Sequence, residues 1–180
     1  KIESTSGFYA GVRDLVRLVS STMGPAGHNV IVTSGDTSAV FRDGAQVVRA
    51  YIPNDPIERN AVIRLRDAAE SSLRFAGDST STTAVFLGSL YLAVEDAIAE
   101  QEKKGVVVQR RLVTDRLEAI LTAMENYVTE NAIKFTHKNG KVNRELLQKV
   151  ATVAANNDAE IGAVVADLIT RLGHSGGVRI

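Results

Sequence analysis

The sequence has no cysteine and no tryptophan among its 180 residues, and only three prolines and two methionines. Without cysteine there is no disulfide, thiol nucleophile, iron–sulfur cluster or cysteine-ligated zinc. An excess of charge of one sign is missing as well. The 21 basic side chains are matched by 21 acidic ones, whereas a strongly basic nucleic-acid or membrane-surface binder needs clustered, uncompensated Lys and Arg. Aromatic side chains are few, four Tyr and five Phe, so the core has to be built from Ala, Val, Leu and Ile. That favours closely packed helices over a sandwich or a base-stacking platform. No apolar run approaches the ~20 residues of a membrane span, and the amino terminus lacks a basic-then-apolar signal pattern. The expectation is a chain with no membrane segment and a cytoplasmic address. What is present, 44% apolar and 23% charged residues, describes one or two folded domains. A chain of this size buries ~70% of its unfolded surface and needs no staple.

Apolar residues at Phe8, Val12, Leu15, Val16 and Val19 follow a helical period, with Ser4, Thr5 and Ser6 as amino-terminal caps. Gly24-Pro25-Ala26-Gly27 ends that helix, since Pro25 cannot donate to it and either glycine can take a positive φ. The period then changes. Val30-Ile31-Val32 and Ala39-Val40-Phe41 are β-prone runs around a polar stretch, which predicts a hairpin with a loop of several residues. A brief helix is expected after Asp43-Gly44, then longer ones over Ile57–Phe75, Ala84–Ala99 and Arg111–Asn131. The second of these carries no charge before Glu95 and is expected to be buried nearly all round. Phe135 to Val142 is the candidate domain boundary, followed by helices near Asn143–Ala155 and Asp158–Leu172 and a final β-prone run, Val178-Arg179-Ile180.

Two loops of small and hydroxyl residues are candidates for chemistry. Gly77-Asp78-Ser79-Thr80-Ser81-Thr82-Thr83 opens a helix, where unpaired amides and the positive end of the dipole favour an anion. Asp78 beside a phosphate requires a cation between them, and carboxylate plus phosphate oxygens suit magnesium. The same residues are most often plain helix caps. Thr22-Met23-Gly24-Pro25-Ala26-Gly27 would let backbone approach a ligand, or simply turn the chain. Asp43, after a strand, is a second carboxylate or a cap. No Gly-x-x-x-x-Gly-Lys-[Ser/Thr] motif occurs, so a nucleotide would bind in some other way. His28, His137 and His174 are far apart in sequence and read as surface or turn residues rather than metal ligands.

Together these segments resemble the group I chaperonins, the GroEL-type ring-forming ATPases. Thr22 to Val30 resembles their Thr-Leu-Gly-Pro-x-Gly-x-Asn-Val segment, Arg42-Asp43-Gly44 their Lys-Asp-Gly, Gly77 to Thr82 their Gly-Asp-Gly-Thr-Thr-Thr, and Val153 to Asp158 their Ile-Ser-Ala-Asn-x-Asp. The resemblance implies a mainly α fold: residues 1–134 as the amino-terminal segment of an equatorial ATP-binding domain, a helical bundle with a β-hairpin. Residues 135–180 would begin an α+β intermediate domain. It also implies ATP and magnesium, with potassium as a further cation. Thr22, Met23, Gly24 and Pro25 would wrap the nucleotide and Arg42 lie beside it. Asp78 would coordinate magnesium, Ser79, Thr80, Ser81 and Thr82 hold phosphates, and Asp43 position the attacking water.

The implied partners are identical subunits in a ring, unfolded protein substrates held by an apical domain outside this chain, and a co-chaperonin; nucleic acid and membrane are not implied. Three departures stand out. Ser79 replaces a family glycine, so its Cβ strains the loop if that position needs positive φ. Ser81 replaces a threonine but keeps the hydroxyl, and Arg42 replaces a lysine with altered geometry. Such divergence points to an unusual relative, a virus-encoded one in a host cytoplasm being one form of it. Family members continue well beyond this length, so the 180 residues alone are expected to hydrolyse ATP poorly. The competing readings are a helical scaffold or interaction module in which both hydroxyl-rich loops are only caps, and a chaperonin-like ring that binds nucleotide but has little ATPase activity.

Overall fold

A computed structural model describes residues 2–34, 37–136 and 141–172. The element order is α1 (Ile2–Ser20), β1 (Val30–Ser34), β2 (Thr37–Phe41), α2 (Gly44–Ala50), α3 (Pro56–Ala76), α4 (Thr80–Lys103), α5 (Arg110–Asn131), α6 (Arg144–Ala154) and α7 (Ala159–Leu172). The chain divides into two compact units, Lys1–Val108 and Gln109–Ile180. The boundary expected near residue 134 falls inside the second.

In the first unit α1 packs on α3 and α4, and short α2 sits against α1, α3 and α4. The heptad-like spacing of Val12, Leu15 and Val19 places all three on one face of α1, and each is fully buried. They meet Val47 and Val48 of α2, Ala61, Val62, Leu65 and Ala69 of α3, and Ala84 of α4. Small residues let the helices close up. A Cβ on Gly11 would stand 2.5 Å from the Glu58 carbonyl oxygen, so α1 crosses α3 backbone to backbone. Pro56 begins α3 where its missing N–H costs nothing, and Asp55 Oδ1 accepts from the Ile57 and Glu58 amides at 2.8 and 3.0 Å. Gly77 ends α3 in the left-handed conformation, φ 75°.

Three expectations are corrected. Ser4, Thr5 and Ser6 lie inside α1 rather than ahead of it, so they are not its caps. The hairpin is tighter than predicted: Thr33 pairs with Ser38 and Ser34 with Thr37 in the antiparallel ladder, leaving two residues between the strands. Backbone pairing outweighs the low β-propensity of that polar stretch. Helix α4 is not buried all round. Thr80, Ala84, Gly88 and Ile98 face inward, while Phe86 and Leu87 are exposed. By length and composition α4 could cross a membrane, but its packing against α1 and α3 accounts for its apolar inner face.

In the second unit α6 packs on α7. Arg144 Nε donates to Asp167 Oδ1 at 2.6 Å, tying the start of α6 to α7. This bond holds the Asp167 carboxyl below its ordinary range and raises the Arg144 guanidinium. The Val153–Asp158 segment turns the chain between them: Asn156 and Asn157 take positive φ, 56° and 66°, and Asp158 Oδ1 accepts from Glu160 and Ile161 N–H, both at 3.0 Å. Helix α5 buries none of its residues; Ile120, Leu121, Met124 and Val128 on its apolar face are exposed. The Val178–Ile180 run, His137 and His174 lie outside the described residues.

Candidate functional site

A cleft of about 320 Å3 opens in the first unit, lined by Asp43, Ala45, Arg49, Leu73, Asp78, Ser79, Thr80, Ser81 and Thr82. It lies where the start of α2, the end of α3 and the start of α4 converge. Each end is locally determined. Strand β2 runs out at Phe41, and Asp43 then caps α2: its Oδ1 accepts from the Ala45 amide at 3.0 Å. The cap reading of Asp43 is therefore correct, and the cap is what turns the carboxylate toward the cleft. The far end of α2 is held by Arg66, whose Nε and Nη2 donate to the carbonyls of Val48 and Tyr51 at 3.1 and 3.0 Å. That cross-brace fixes α2 against α3.

At the other wall the chain leaves α3 through Gly77 and enters α4 through Ser79, which has φ 75° and ψ 17°. The strain expected of a non-glycine residue there is present, since a side chain in this region costs about 1–2 kcal/mol. Asp78 Oδ1 accepts from the Ser79 amide at 2.5 Å, and Ser72 Oγ donates to the Asp78 carbonyl at 3.4 Å. No side chain caps α4. Ser79 occupies the N-cap position of α4, but its side chain makes no capping bond, and the amides of Thr80, Ser81 and Thr82 begin a 24-residue helix with no side-chain acceptor among the described residues. Uncapped amides at a helix start, exposed Asp78 beside them and hydroxyls around them form a donor set for an anion plus a hard cation.

Gly44 joins this wall to the first loop. A Cβ there would meet Ser81 Oγ at 2.5 Å and Thr22 Oγ1 at 2.8 Å, so the α2 backbone is pressed between the two hydroxyls. Thr22 Oγ1 donates to the Val19 carbonyl at 2.7 Å, closing the last turn after α1. Thr22 is half-buried at the edge of the site, whereas Met23, Gly24 and Pro25 are exposed and do not line the cleft. Arg42 is likewise exposed and outside the lining. Asp43 and Asp78 through Thr82 are brought together. Sequence reasoning missed Arg49 and Leu73, whose positions depend on where α2 and α3 end; the only signal for Arg49 was its six-residue distance from Asp43 on a short helix. Among the described residues no cluster of three or more metal-ligating side chains exists. A cation here would complete its shell with ligand oxygens and water, which is how magnesium usually sits in phosphate sites.

The sequence pattern of the TCP-1/cpn60 chaperonin family matches residues 15–172. The chain belongs to that family. Among curated members, it is 31% identical over 172 residues to Chaperonin GroEL 1 of Rhodopirellula baltica, covering 95% of this chain and 28% of that protein. It is 28% identical over 182 residues to Heat shock protein 60 of Emericella nidulans, covering 99% and 29%. Solved chaperonins share the fold. A group III chaperonin in the open state superposes with a TM-score of 0.73 at 24% identity, covering 94% of this chain and 32% of that one. Chaperonin gp146 of bacteriophage EL, crystallised with ATP-BeFx, superposes with 0.67 at 22%, covering 96% and 28%. The mainly helical architecture with a small two-stranded hairpin is that of the chaperonin equatorial domain. The chain spans less than a third of the curated relatives it matches.

Proposed function

We propose that the chain is the amino-terminal part of a chaperonin subunit, that its cleft binds Mg-ATP, and that the complete subunit hydrolyses it while assisting protein folding in a ring of identical copies. The observation that carries this is the uncapped start of α4 opening between two carboxylates, Asp43 and Asp78. The amides and hydroxyls of Ser79 to Thr82 hold the phosphates, and Thr22 with the Met23-Gly24-Pro25 turn and Arg42 border the nucleotide. Asp78, exposed at the mouth, holds magnesium. The metal supplies neutralisation of phosphate charge; the protein supplies position, which is most of what phosphoryl transfer needs. Asp43, pinned by its bond to Ala45, accepts a hydrogen bond from the attacking water and orients it.

Residues 1–134 fall to the equatorial domain and 135–180 to the intermediate domain in this reading, with a cytoplasmic setting. The exposed Ile31 and Val40 and the two open edges of the isolated hairpin favour a neighbouring copy as cover. Substrate and co-chaperonin contacts belong to parts of the subunit beyond this chain. Calorimetric titration of Mg-ATP into the full-length protein tests the reading. Binding should depend on magnesium and weaken at least tenfold, about 1.4 kcal/mol, in Asp78→Ala. A protein that binds no nucleotide, or binds it equally well after the substitution, is the scaffold instead. Size-exclusion of the same protein as a monomer at all concentrations, with and without ATP, would exclude the ring.

A further inference from the structure

Nucleotide binding leaves one group in the cleft without a role. Among the described residues that line it, Asp43 and Asp78 contribute two negative charges and Arg49 the single positive one. A polyphosphate entering there is repelled by both carboxylates, so a cation in the wall bears directly on whether the anion stays. Arg49 occupies the last turn of α2, and its Nε stands 3.5 Å from Glu70 Oε1 on α3, with 48% and 40% of the two side chains exposed. That distance is beyond a good N–H···O bond, and an exposed pair of this kind holds its partners weakly. Arg66, by contrast, is committed to the carbonyls of Val48 in α2 and of Tyr51, the residue that caps it. Arg49 therefore stands at the cleft with a guanidinium fork that matches phosphate oxygens and a partner it can leave at little cost.

We propose that Arg49 binds the nucleotide's phosphates and that Glu70 is its resting partner, exchanged for the anion on binding. The inference rests on the nucleotide reading above. Its test is calorimetric titration of Mg-ATP into the full-length protein and into Arg49→Gln, Arg49→Lys and Glu70→Gln, with melting curves of the ligand-free proteins. Arg49→Gln is expected to weaken binding about tenfold without lowering the melting temperature, and Arg49→Lys to weaken it less, because charge is kept and the fork is lost. Glu70→Gln is expected to tighten binding about threefold, since it removes the competing carboxylate; a purely structural ion pair would not do this. Arg49→Gln binding as the wild type does, or Glu70→Gln leaving affinity unchanged or weaker, overturns the proposal. Should Arg49→Gln fail to fold, Glu70→Gln decides by the same criterion. Wild-type protein that binds no Mg-ATP removes the nucleotide reading and Arg49 with it. Binding that is lost in Asp78→Ala but intact in Arg49→Gln removes Arg49 alone.

Discussion

Ser79 carries a side chain at φ 75° in the middle of the loop that opens α4. Replacing it with glycine removes the clash of Cβ with the backbone without changing the loop's path. Ser79→Gly should stabilise the protein by about 1 kcal/mol and raise the melting temperature by roughly 2–4 °C; an unchanged or lower midpoint in a thermal melt would show that the loop is not strained. Part of this residue-level picture was legible beforehand. Ser79 stood out because the resembling motif has glycine at that position, and Asp43 because an acid between a strand and a helix is a natural cap. Arg49 was not legible. Its distance from Asp43 along a short helix does not by itself mark it out from the other arginines, and only the docking of α2 beside α4 gives it a cleft to line.

Helices meet at specific points, and two of these make separable predictions. Alanine ordinarily favours a helix over glycine by about 1 kcal/mol, yet Gly11→Ala would drive a methyl into the Glu58 backbone of α3, which cannot rotate away. A net loss of about 1–3 kcal/mol is expected in chemical denaturation; a stabilised variant would mean the α1–α3 crossing is looser than described. The α6–α7 pair is tied at its surface by Arg144 and Asp167. Because the bond lowers the folded-state pKa of Asp167, its contribution is present above the carboxyl's unfolded pKa and is lost as pH falls through the folded value. Asp167→Asn should therefore lower the melting temperature slightly at neutral pH, by a few degrees at most, and leave it unchanged in strong acid. An equal effect at both pH values would rule out the ion pair as the cause. Helix limits were largely readable because Pro56, Gly77 and Asn143 punctuate the chain. The exposure of α4 and α5 was not, since an apolar face looks the same in sequence whether or not another element covers it.

At the scale of the whole chain the apolar faces dominate behaviour. Phe86 and Leu87 on α4, Ile120, Leu121, Met124 and Val128 on α5, and Ile31 and Val40 on the hairpin are exposed. Faces of this kind in a soluble protein mark contact surfaces. Residues 1–180 produced alone should bind an apolar fluorescent dye and self-associate at micromolar concentration, whereas the full-length protein should not bind the dye to the same extent. A monodisperse, dye-silent segment would mean that these faces need no cover. A different consequence follows from α2. Helix α2 and its cap carry Asp43 at one end and Arg49 near the other, about 9 Å apart along the axis. Because Val47 and Val48 are buried at its middle and Arg66 ties its carboxyl end to α3, the two charges stand on one braced rod, and a substitution that loosens that brace should disturb both ends of the cleft together.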